Sequence, residues 1–286
     1  MIAHPDADPI LAVEHLTVRF GGLTAVSDLS FAAQTGEILS IIGPNGAGKT
    51  TVFNCITGFQ RPTGGRVVFM GRPVTALRPD LIVARGIART FQLIRLFPTL
   101  LAVENVMLGL HARTRAGTFD AMLHTPAHRR EEAWIREEAH RWLAFVGLEH
   151  RARQQARTLA YGDQRRLEIA RAMASGPRLL VLDEPASGMN PAEKDDLARL
   201  VAEINREGTT VLLVEQNANA ALRLAHRGYV LENGRIALEG TGAELARHEG
   251  VRRSYLGIRV LSDGNGPQAP AGRGPAEGTP GTRREL

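Results

Sequence analysis

The residues best suited to chemistry form the octapeptide Gly43-Pro44-Asn45-Gly46-Ala47-Gly48-Lys49-Thr50. Its spacing is that of a phosphate-binding loop, in which glycines let successive backbone N–H groups surround an anion. Lys49 is expected to reach the β- and γ-phosphates of a nucleotide, and the Thr50 hydroxyl to take one Mg²⁺ coordination position. The loop therefore predicts binding of a nucleoside triphosphate with Mg²⁺.

A pair of carboxylates follows an apolar run elsewhere in the chain. Asp183 and Glu184 come directly after residues 179–182, which read as a buried strand. A carboxylate at such a strand end is well placed to hold Mg²⁺ through water, and the next one can activate an attacking water as a general base. This signal is weak alone, but with a phosphate-binding loop upstream it predicts ATP hydrolysis.

The elements expected to position these residues are those of an α/β core. Residues 38–42 are predicted to be a strand leading into the loop, and residues 51–57 a helix that Gly58 ends. Further elements are predicted as strands over 10–33, 66–70 and 211–214, helices over 80–85 and 192–207, a hairpin over 229–238 and a last helix started by Thr241 and Glu244. Asn190 and Glu193 have the spacing of a capping box.

A helical block is predicted between these core elements. Over residues 92–178 the strand-like runs disappear, and Trp134, Ile135, Trp142, Leu143 and Val146 recur at roughly helical spacing. Core packing is the interpretation we adopt for both tryptophans. We interpret the block as a helical subdomain inserted into the α/β core.

Composition is that of an ordinary globular chain of 286 residues, with 43% hydrophobic residues and a formal net charge of +5. The charge suits anionic partners without choosing among them.

Cys55 is the only cysteine, which excludes an internal disulfide, and we interpret it as a small packed residue rather than a nucleophile. No apolar run is long enough to span a bilayer, and no signal peptide is recognisable, which predicts a cytoplasmic protein.

A third motif narrows the functional class. Leu159-Ala160-Tyr161-Gly162-Asp163-Gln164 precedes a helix predicted over 164–174. It resembles the signature loop of ATP-binding cassette (ABC) proteins, commonly Leu-Ser-Gly-Gly-Gln. A helix N-terminus presented to the γ-phosphate of ATP on a second subunit is the role that this resemblance implies.

The ABC resemblance implies roles for individual residues. Phe20 matches the aromatic residue that stacks on adenine, and Gln92 the glutamine that contacts Mg²⁺ and water. Asp183 matches the Walker B aspartate, Glu184 the catalytic glutamate, and Gln216 the switch histidine. The residues expected around the nucleotide are Phe20, Gly43, Pro44, Asn45, Gly46, Ala47, Gly48, Lys49, Thr50, Thr51 and Gln92, with Leu159, Ala160, Tyr161, Gly162 and Asp163 facing the ATP of a second subunit. Thr50, Gln92 and Asp183 are the expected metal ligands; Glu184, Gln216 and Lys49 are the expected catalytic residues.

Three positions depart from the common ABC pattern. Ala160 replaces the signature serine, Asn190 the aspartate of the segment after the carboxylate pair, and Gln216 the switch histidine. Glutamine can hydrogen-bond a phosphate oxygen but cannot become cationic near neutral pH. We therefore expect slower turnover from a site that contains Gln216.

Several stretches are similar to ATPase subunits of branched-chain amino acid importers. These are residues 53–59, residues 89–97 and residues 159–170, whereas residues 214–222 and 228–234 look like the paralogous subunit of the same importers. The resemblance covers roughly residues 10–257. It implies a P-loop NTPase of the ABC fold, with a RecA-like core, an N-terminal antiparallel β-subdomain and the helical subdomain at 92–178 inside an ATPase domain of residues 1–260.

The resemblance also implies partners. A second ABC ATPase subunit, identical or paralogous, would complete each ATP site, and two membrane permease subunits would hold the dimer on the inner face of the membrane. A solute-binding protein would act indirectly, and no nucleic acid is expected. The alternatives are an importer of urea or amides, a lipopolysaccharide exporter, or an ABC ATPase that acts on nucleic acid. Residues 261–286 contain ten Gly or Pro and are expected to be a disordered tail.

Overall fold

The computed structural model describes residues 8–113 and 126–255. The Gly/Pro-rich tail at 261–286 lies outside the described residues, so its disorder stays a prediction. Within the described ranges the chain forms two β-sheets with helices packed against them.

The two sheets differ in strand direction. The strands are β1 (Leu11–Phe20), β2 (Leu23–Ala33), β3 (Ile38–Ile42), β4 (Gly64–Phe69), β5 (Arg72–Pro73), β6 (Ile87–Arg89), β7 (Leu179–Asp183), β8 (Thr210–Glu215), β9 (Arg227–Glu232) and β10 (Arg235–Thr241). An antiparallel sheet has the order β2-β1-β4-β5. A second sheet has the order β10-β9-β3-β8-β7-β6 and is parallel except for the edge pair β9–β10. The predicted combination of an α/β core and an antiparallel β-subdomain is confirmed.

Helices connect and cover these strands. Those of the described residues are α1 (Lys49–Ile56), α2 (Pro79–Ala84), α3 (Ala102–Leu110), α4 (Pro126–Phe145), α5 (Tyr161–Ala174), α6 (Pro191–Arg206), α7 (Ala218–Leu224), α8 (Gly242–Arg247) and α9 (Glu249–Tyr255). Helices α3, α4 and α5 lie within the block predicted to be helical. Its status as a separate subdomain remains a prediction.

The parallel sheet determines where the site can form. Strands β3, β7 and β8 are buried along their whole length, as expected of a sheet covered on both faces. Because parallel strands end at the same edge, the residues that follow β3, β6, β7 and β8 meet there. The phosphate-binding loop, Gln92, Glu184 and Gln216 follow these strands, and Asp183 is the last residue of β7.

The buried apolar residues form two clusters, one on each face of this sheet. Leu180 and Leu182 point into a cluster with α3, α4 and α5, whereas Leu179 and Val181 join a cluster with α1 and the antiparallel sheet. This alternation is the period of two expected of a strand. Trp134 and Trp142 are half-buried against the first cluster, and Cys55 is buried in the second, so all three are packing residues as predicted.

Local turn and cap predictions are confirmed. Asn233 (φ 48°) and Gly234 (φ 75°) join β9 to β10 with the two positive φ angles of a type I′ turn. A reciprocal capping box starts α6, since the Asn190 side chain accepts from the Glu193 N–H and the Glu193 carboxylate from the Asn190 N–H. Thr241 caps α8 in the same way.

Two helix starts differ from the prediction. The helix expected from residue 51 begins at Lys49, and the helix expected from residue 164 begins at Tyr161. The residues before them, Gly48 and Ala160, are the N-caps, and neither offers a side-chain cap. Residues expected in loops therefore form first helical turns, whose N–H groups have no intrahelical partner.

Candidate nucleotide-binding site

The loop between β3 and α1 is built for close backbone contact. A Cβ on Gly43 would lie 2.2 Å from the carbonyl oxygen of Leu231, and one on Gly48 would lie 2.7 Å from that of Ala25. Gly48 also has a φ of 100°, which side chains rarely adopt. With Gly48 as the N-cap, the first N–H groups of α1 are left for an acceptor such as a phosphate oxygen.

Lys49 lies within this loop. Its Nζ donates to the carbonyl oxygens of Gly43 at 2.7 Å and Pro44 at 2.9 Å. Burial lowers the pKa of Lys49, and the nearby carboxylates of Glu184 and Asp183 oppose that shift. The predicted phosphate ligand and the predicted carboxylate pair therefore share one electrostatic environment.

Asp183 is paired with a residue that sequence reasoning missed. The Arg89 guanidinium donates to Oδ2 of Asp183 at 2.6 Å, and both side chains are almost completely buried. Arg89 also donates to Asn54 at 2.7 Å and Thr57 at 2.9 Å, on α1 and at its end. It thus ties the strand end that carries Asp183 to the helix after the phosphate-binding loop. The available signal was an arginine on a short apolar segment just before Gln92.

Gln92 and Glu184, predicted separately, are brought together. Nε2 of Gln92 donates to Oε2 of Glu184 at 2.8 Å. Glu184 has a φ of 44°, in the left-handed region, which costs of order 1 kcal/mol or more for a residue other than glycine. Its N–H donates to the Val214 carbonyl at 2.9 Å, so the neighbouring strand holds this conformation.

Gln216 lies beside Glu184 on a cavity of about 340 Å³ at the ends of β7 and β8. The neighbouring Glu215, which was not predicted as a functional residue, is buried under the same cavity and accepts from the Ala186 N–H at 3.1 Å. Burial raises the pKa of Glu215 to about 7, and the nearby Glu184 carboxylate adds to the shift, while Lys194 opposes it. A second titratable carboxyl group therefore lies next to the predicted general base.

The remaining residues predicted around the subunit's own nucleotide lie on α1 and at the end of β1. Thr50 is exposed and Thr51 half-buried in the first turn of α1. Phe20, at the end of β1, is 48% exposed and pairs with Leu23 across the hairpin to β2. Its predicted stacking on adenine stays a prediction.

Residues of the predicted signature loop contact other residues of their own chain. Leu159 is buried and Ala160 exposed at the start of α5. Among the described residues, the Asp163 carboxylate pairs with Arg166 at 2.5 Å and Arg151 at 3.2 Å. None of the hydrogen bonds found for residues 159–163 in the described ranges reaches Lys49. Contact of residues 159–163 with the ATP of a second subunit stays a prediction.

No helix in residues 8–113 and 126–255 is both long enough and apolar enough to cross a membrane.

Family membership follows from the sequence match. A protein-family model described as "ABC transporter" matches residues 26–187, which is more than half of the chain. The chain belongs to the ABC transporter family. As an ABC ATPase it binds nucleotide and hydrolyses ATP.

Curated and solved ABC relatives match over most of this chain. It is 45% identical over 252 residues to the high-affinity branched-chain amino acid transport ATP-binding protein LivG of Salmonella typhimurium, covering 88% of this chain and 99% of LivG. Among solved structures, the ADP conformation of the ABC transporter cassette MJ1267 superposes with a TM-score of 0.75 at 29% identity, covering 88% of this chain and 100% of that one. The dimeric post-hydrolysis cassette MJ0796, bound to ADP and Pi, superposes with a TM-score of 0.68 at 27% identity, covering 83% and 99%.

Proposed function

We propose that this ABC ATPase powers an importer for branched-chain or other hydrophobic amino acids. The observation that carries the proposal is the 45% identity to LivG over 252 residues, which is 88% of the chain. The edge of the parallel sheet supports the ATPase part, because it joins Gln92 to Glu184 beside Asp183 and Lys49.

The nucleotide is proposed to bind along the loop Gly43–Thr50. Backbone N–H groups of the loop and of the first turn of α1 hold the phosphate oxygens, and Lys49 adds a positive charge at the β- and γ-phosphates. Phe20 stacks on the adenine. Lys49 then exchanges the carbonyls of Gly43 and Pro44 for phosphate oxygens.

The donors near this loop fit Mg²⁺. Thr50 offers a hydroxyl, Gln92 an amide oxygen and Asp183 a carboxylate, and such oxygen ligands are those that Mg²⁺ prefers. Arg89 occupies Oδ2 of Asp183, which suits contact with the ion through a bound water. When bound, Mg²⁺ supplies neutralisation of negative charge on the phosphates.

Hydrolysis is proposed to use Glu184 as the general base. Glu184 accepts a proton from water as the water oxygen bonds to the γ-phosphorus, and the bond from that phosphorus to the β–γ bridging oxygen breaks to release ADP. The hydrogen bond from Gln92 holds the Glu184 carboxylate in place. Gln216 donates to a γ-phosphate oxygen as a neutral group.

A second ATPase subunit is proposed to complete each site. The first turn of α5 begins at Tyr161 with no side-chain cap, so its N–H groups are available to an anion outside the chain. The superposition on the dimeric cassette MJ0796, bound to ADP and Pi, supports an ATP shared between two subunits, identical or paralogous.

A membrane permease is proposed to dock on the groove beside Arg89. This groove has a volume of about 410 Å³ and is lined by Phe97 and Leu108, both substantially exposed, together with Arg171. An apolar surface with charged groups at its edge suits an amphipathic cytoplasmic segment. Two permease subunits would then hold the ATPase dimer on the inner face of the membrane, and a solute-binding protein would deliver the amino acid to them.

Uptake of ¹⁴C-leucine in cells of the source organism tests this function. Replacing the chromosomal copy with the Lys49→Ala variant should abolish high-affinity uptake, while Arg199→Ala, an exposed position on α6, should leave it unchanged. Loss of urea or amide uptake with normal leucine uptake would reassign the solute. If no uptake is lost, the importer proposal is wrong.

A further inference from the structure

Arg165 is the largest side chain that is completely buried among the described residues, and it reaches from α5 to the segment that carries Gln92. Its guanidinium donates to the carbonyl of Phe91 at 2.6 Å and to the carbonyl of Gln92 at 2.8 Å. It also contacts the hydroxyl of Tyr161 at 3.4 Å. One planar group thus joins the Gln92 backbone to the loop predicted to face the partner's ATP.

Glu168, one turn further along α5, extends this connection. Oε2 of Glu168 accepts from Arg165 at 2.7 Å, and Oε1 accepts from the Arg95 N–H at 3.1 Å. Burial raises the pKa of Glu168, while Arg95 and Arg165 oppose that shift. The segment from Phe91 to Arg95 is therefore attached to α5 at both ends by a buried ion pair.

The contacts of Arg165 and Glu168 favour joint movement of α5 and the segment that carries Gln92. A guanidinium presents donors in a fixed plane, so it can bind two successive carbonyls at once, whereas an ammonium is a point charge. A buried charge separated from its partners is strongly unfavourable, so gradual loosening of the contact is disfavoured. Any displacement of the Gln92 segment is expected to carry the start of α5 with it.

We propose that Arg165 is a positioning residue that joins the two nucleotide-facing parts of one subunit, so that Gln92, at the subunit's own ATP, and residues 159–163, at the partner's ATP, respond together. This inference rests on the proposed ATP site shared between two subunits. Binding at the phosphate loop then orients the signature loop for the other site through Arg165.

The test measures ATP-driven dimerisation of the full chain in a Glu184→Gln background, where hydrolysis is blocked. The Arg165→Met/Glu168→Gln variant removes both carbonyl contacts without leaving a buried charge, since methionine fills the stem volume and glutamine still accepts from Arg95. Glu168→Gln alone keeps the guanidinium contacts with the carbonyls of Phe91 and Gln92. Arg199→Met, on the exposed face of α6, is the matched control.

Sedimentation velocity should show that the double variant needs at least about tenfold more protein to dimerise with ATP, a factor that corresponds to about 1.4 kcal/mol. Calorimetry on the monomer should give an ATP affinity within about twofold of the parent, because no altered residue touches the phosphate loop. A structural role alone would change the melting temperature but not dimerisation at a temperature where the variant is folded. The Glu168→Gln and Arg199→Met variants should dimerise like the parent.

The outcomes separate this inference from the proposed function. If the parent and the double variant dimerise equally well with ATP, the proposed role of Arg165 is wrong, but the shared ATP site is not affected. A parent that binds no ATP or stays monomeric overturns the shared site and this inference with it. If the double variant does not fold, Arg165→Lys replaces it, because an ammonium cannot span both carbonyls, and unchanged dimerisation of that variant equally rejects the proposal.

Discussion

Gln92 and Glu184 are joined by a hydrogen bond of 2.8 Å, in which the Gln92 amide donates to the Glu184 carboxylate. The backbone of each residue is held independently, since the Gln92 carbonyl accepts from Arg165 and the Glu184 N–H donates to Val214. The orientation of the proposed general base therefore depends on the segment that also contacts α5.

Replacing Gln92 with alanine should lower kcat for ATP hydrolysis while leaving ATP affinity within about twofold. A hydrogen bond to a charged group contributes about 1.5–3 kcal/mol, which corresponds to a loss of about 10- to 150-fold in kcat. Phosphate release and calorimetric ATP binding measured on one preparation check both values. Gln60→Ala, whose side chain donates to the Arg61 carbonyl, is the control. An unchanged kcat in Gln92→Ala would remove its positioning role.

Glu184→Gln should bind ATP normally and hydrolyse it at least about 100-fold more slowly, because general-base catalysis typically contributes 10²- to 10⁴-fold. The glutamine amide has the same shape as the glutamate carboxylate. Rotation of either side-chain amide can therefore keep the hydrogen bond between residues 92 and 184. Single-turnover hydrolysis measures the chemical step. Normal single-turnover rates would show that another group accepts the proton.

Gln216→His should turn over ATP as fast as the unaltered chain or faster. An imidazole can become cationic near neutral pH and strengthen a hydrogen bond to phosphate, which glutamine cannot do. Any gain in kcat should be larger at pH 6.5 than at pH 8. Asn219→His, exposed on α7, controls for the added imidazole, and a large loss of activity in Gln216→His alone would show that glutamine has a required role of its own.

Arg89→Met should lower the free energy of unfolding by about 3–5 kcal/mol, because it leaves the buried Asp183 carboxylate without its partner. Urea denaturation measures the change. Arg199→Met removes an exposed ion pair with Asp196 and should change stability by less than about 1 kcal/mol. Equal effects of the two substitutions would show that the buried pair is not important for stability.

The difference in free energy of unfolding between the Glu215→Gln variant and the unaltered chain should shift in favour of the variant as the pH rises from 4.5 to 7. Burial raises the folded-state pKa of Glu215 from 4.5 to about 7, so in this range the folded state binds more protons than the unfolded state, and stability falls as pH increases. The groups that face Glu215 are Glu184, Lys194 and Arg165. The difference between the two proteins should reach about 3 kcal/mol near pH 7, an order-of-magnitude value. Urea denaturation at pH 5, 6 and 7 measures it, and parallel pH profiles would contradict a raised pKa.

Features encoded by neighbouring residues were predictable from the sequence. The phosphate-binding loop, the Asn233-Gly234 turn and the Asn190–Glu193 capping box each depend on residues a few positions apart, so local spacing is enough to identify them. The helix starts at Lys49 and Tyr161 were placed too late, because Gly48 and Ala160 give no side-chain capping signal.

The nucleotide loop, the carboxylate pair and the signature-like loop are readable from the amino-acid sequence alone, because each is a short motif of fixed spacing. The partners of the buried arginine side chains could be identified only from the folded chain. The Arg89–Asp183 contact joins residues 94 apart and the Arg165–Gln92 contact joins residues 73 apart. Such pairing is set by strand order in the parallel sheet and by the packing of α5 beside it, because a buried guanidinium without any acceptor would be costly.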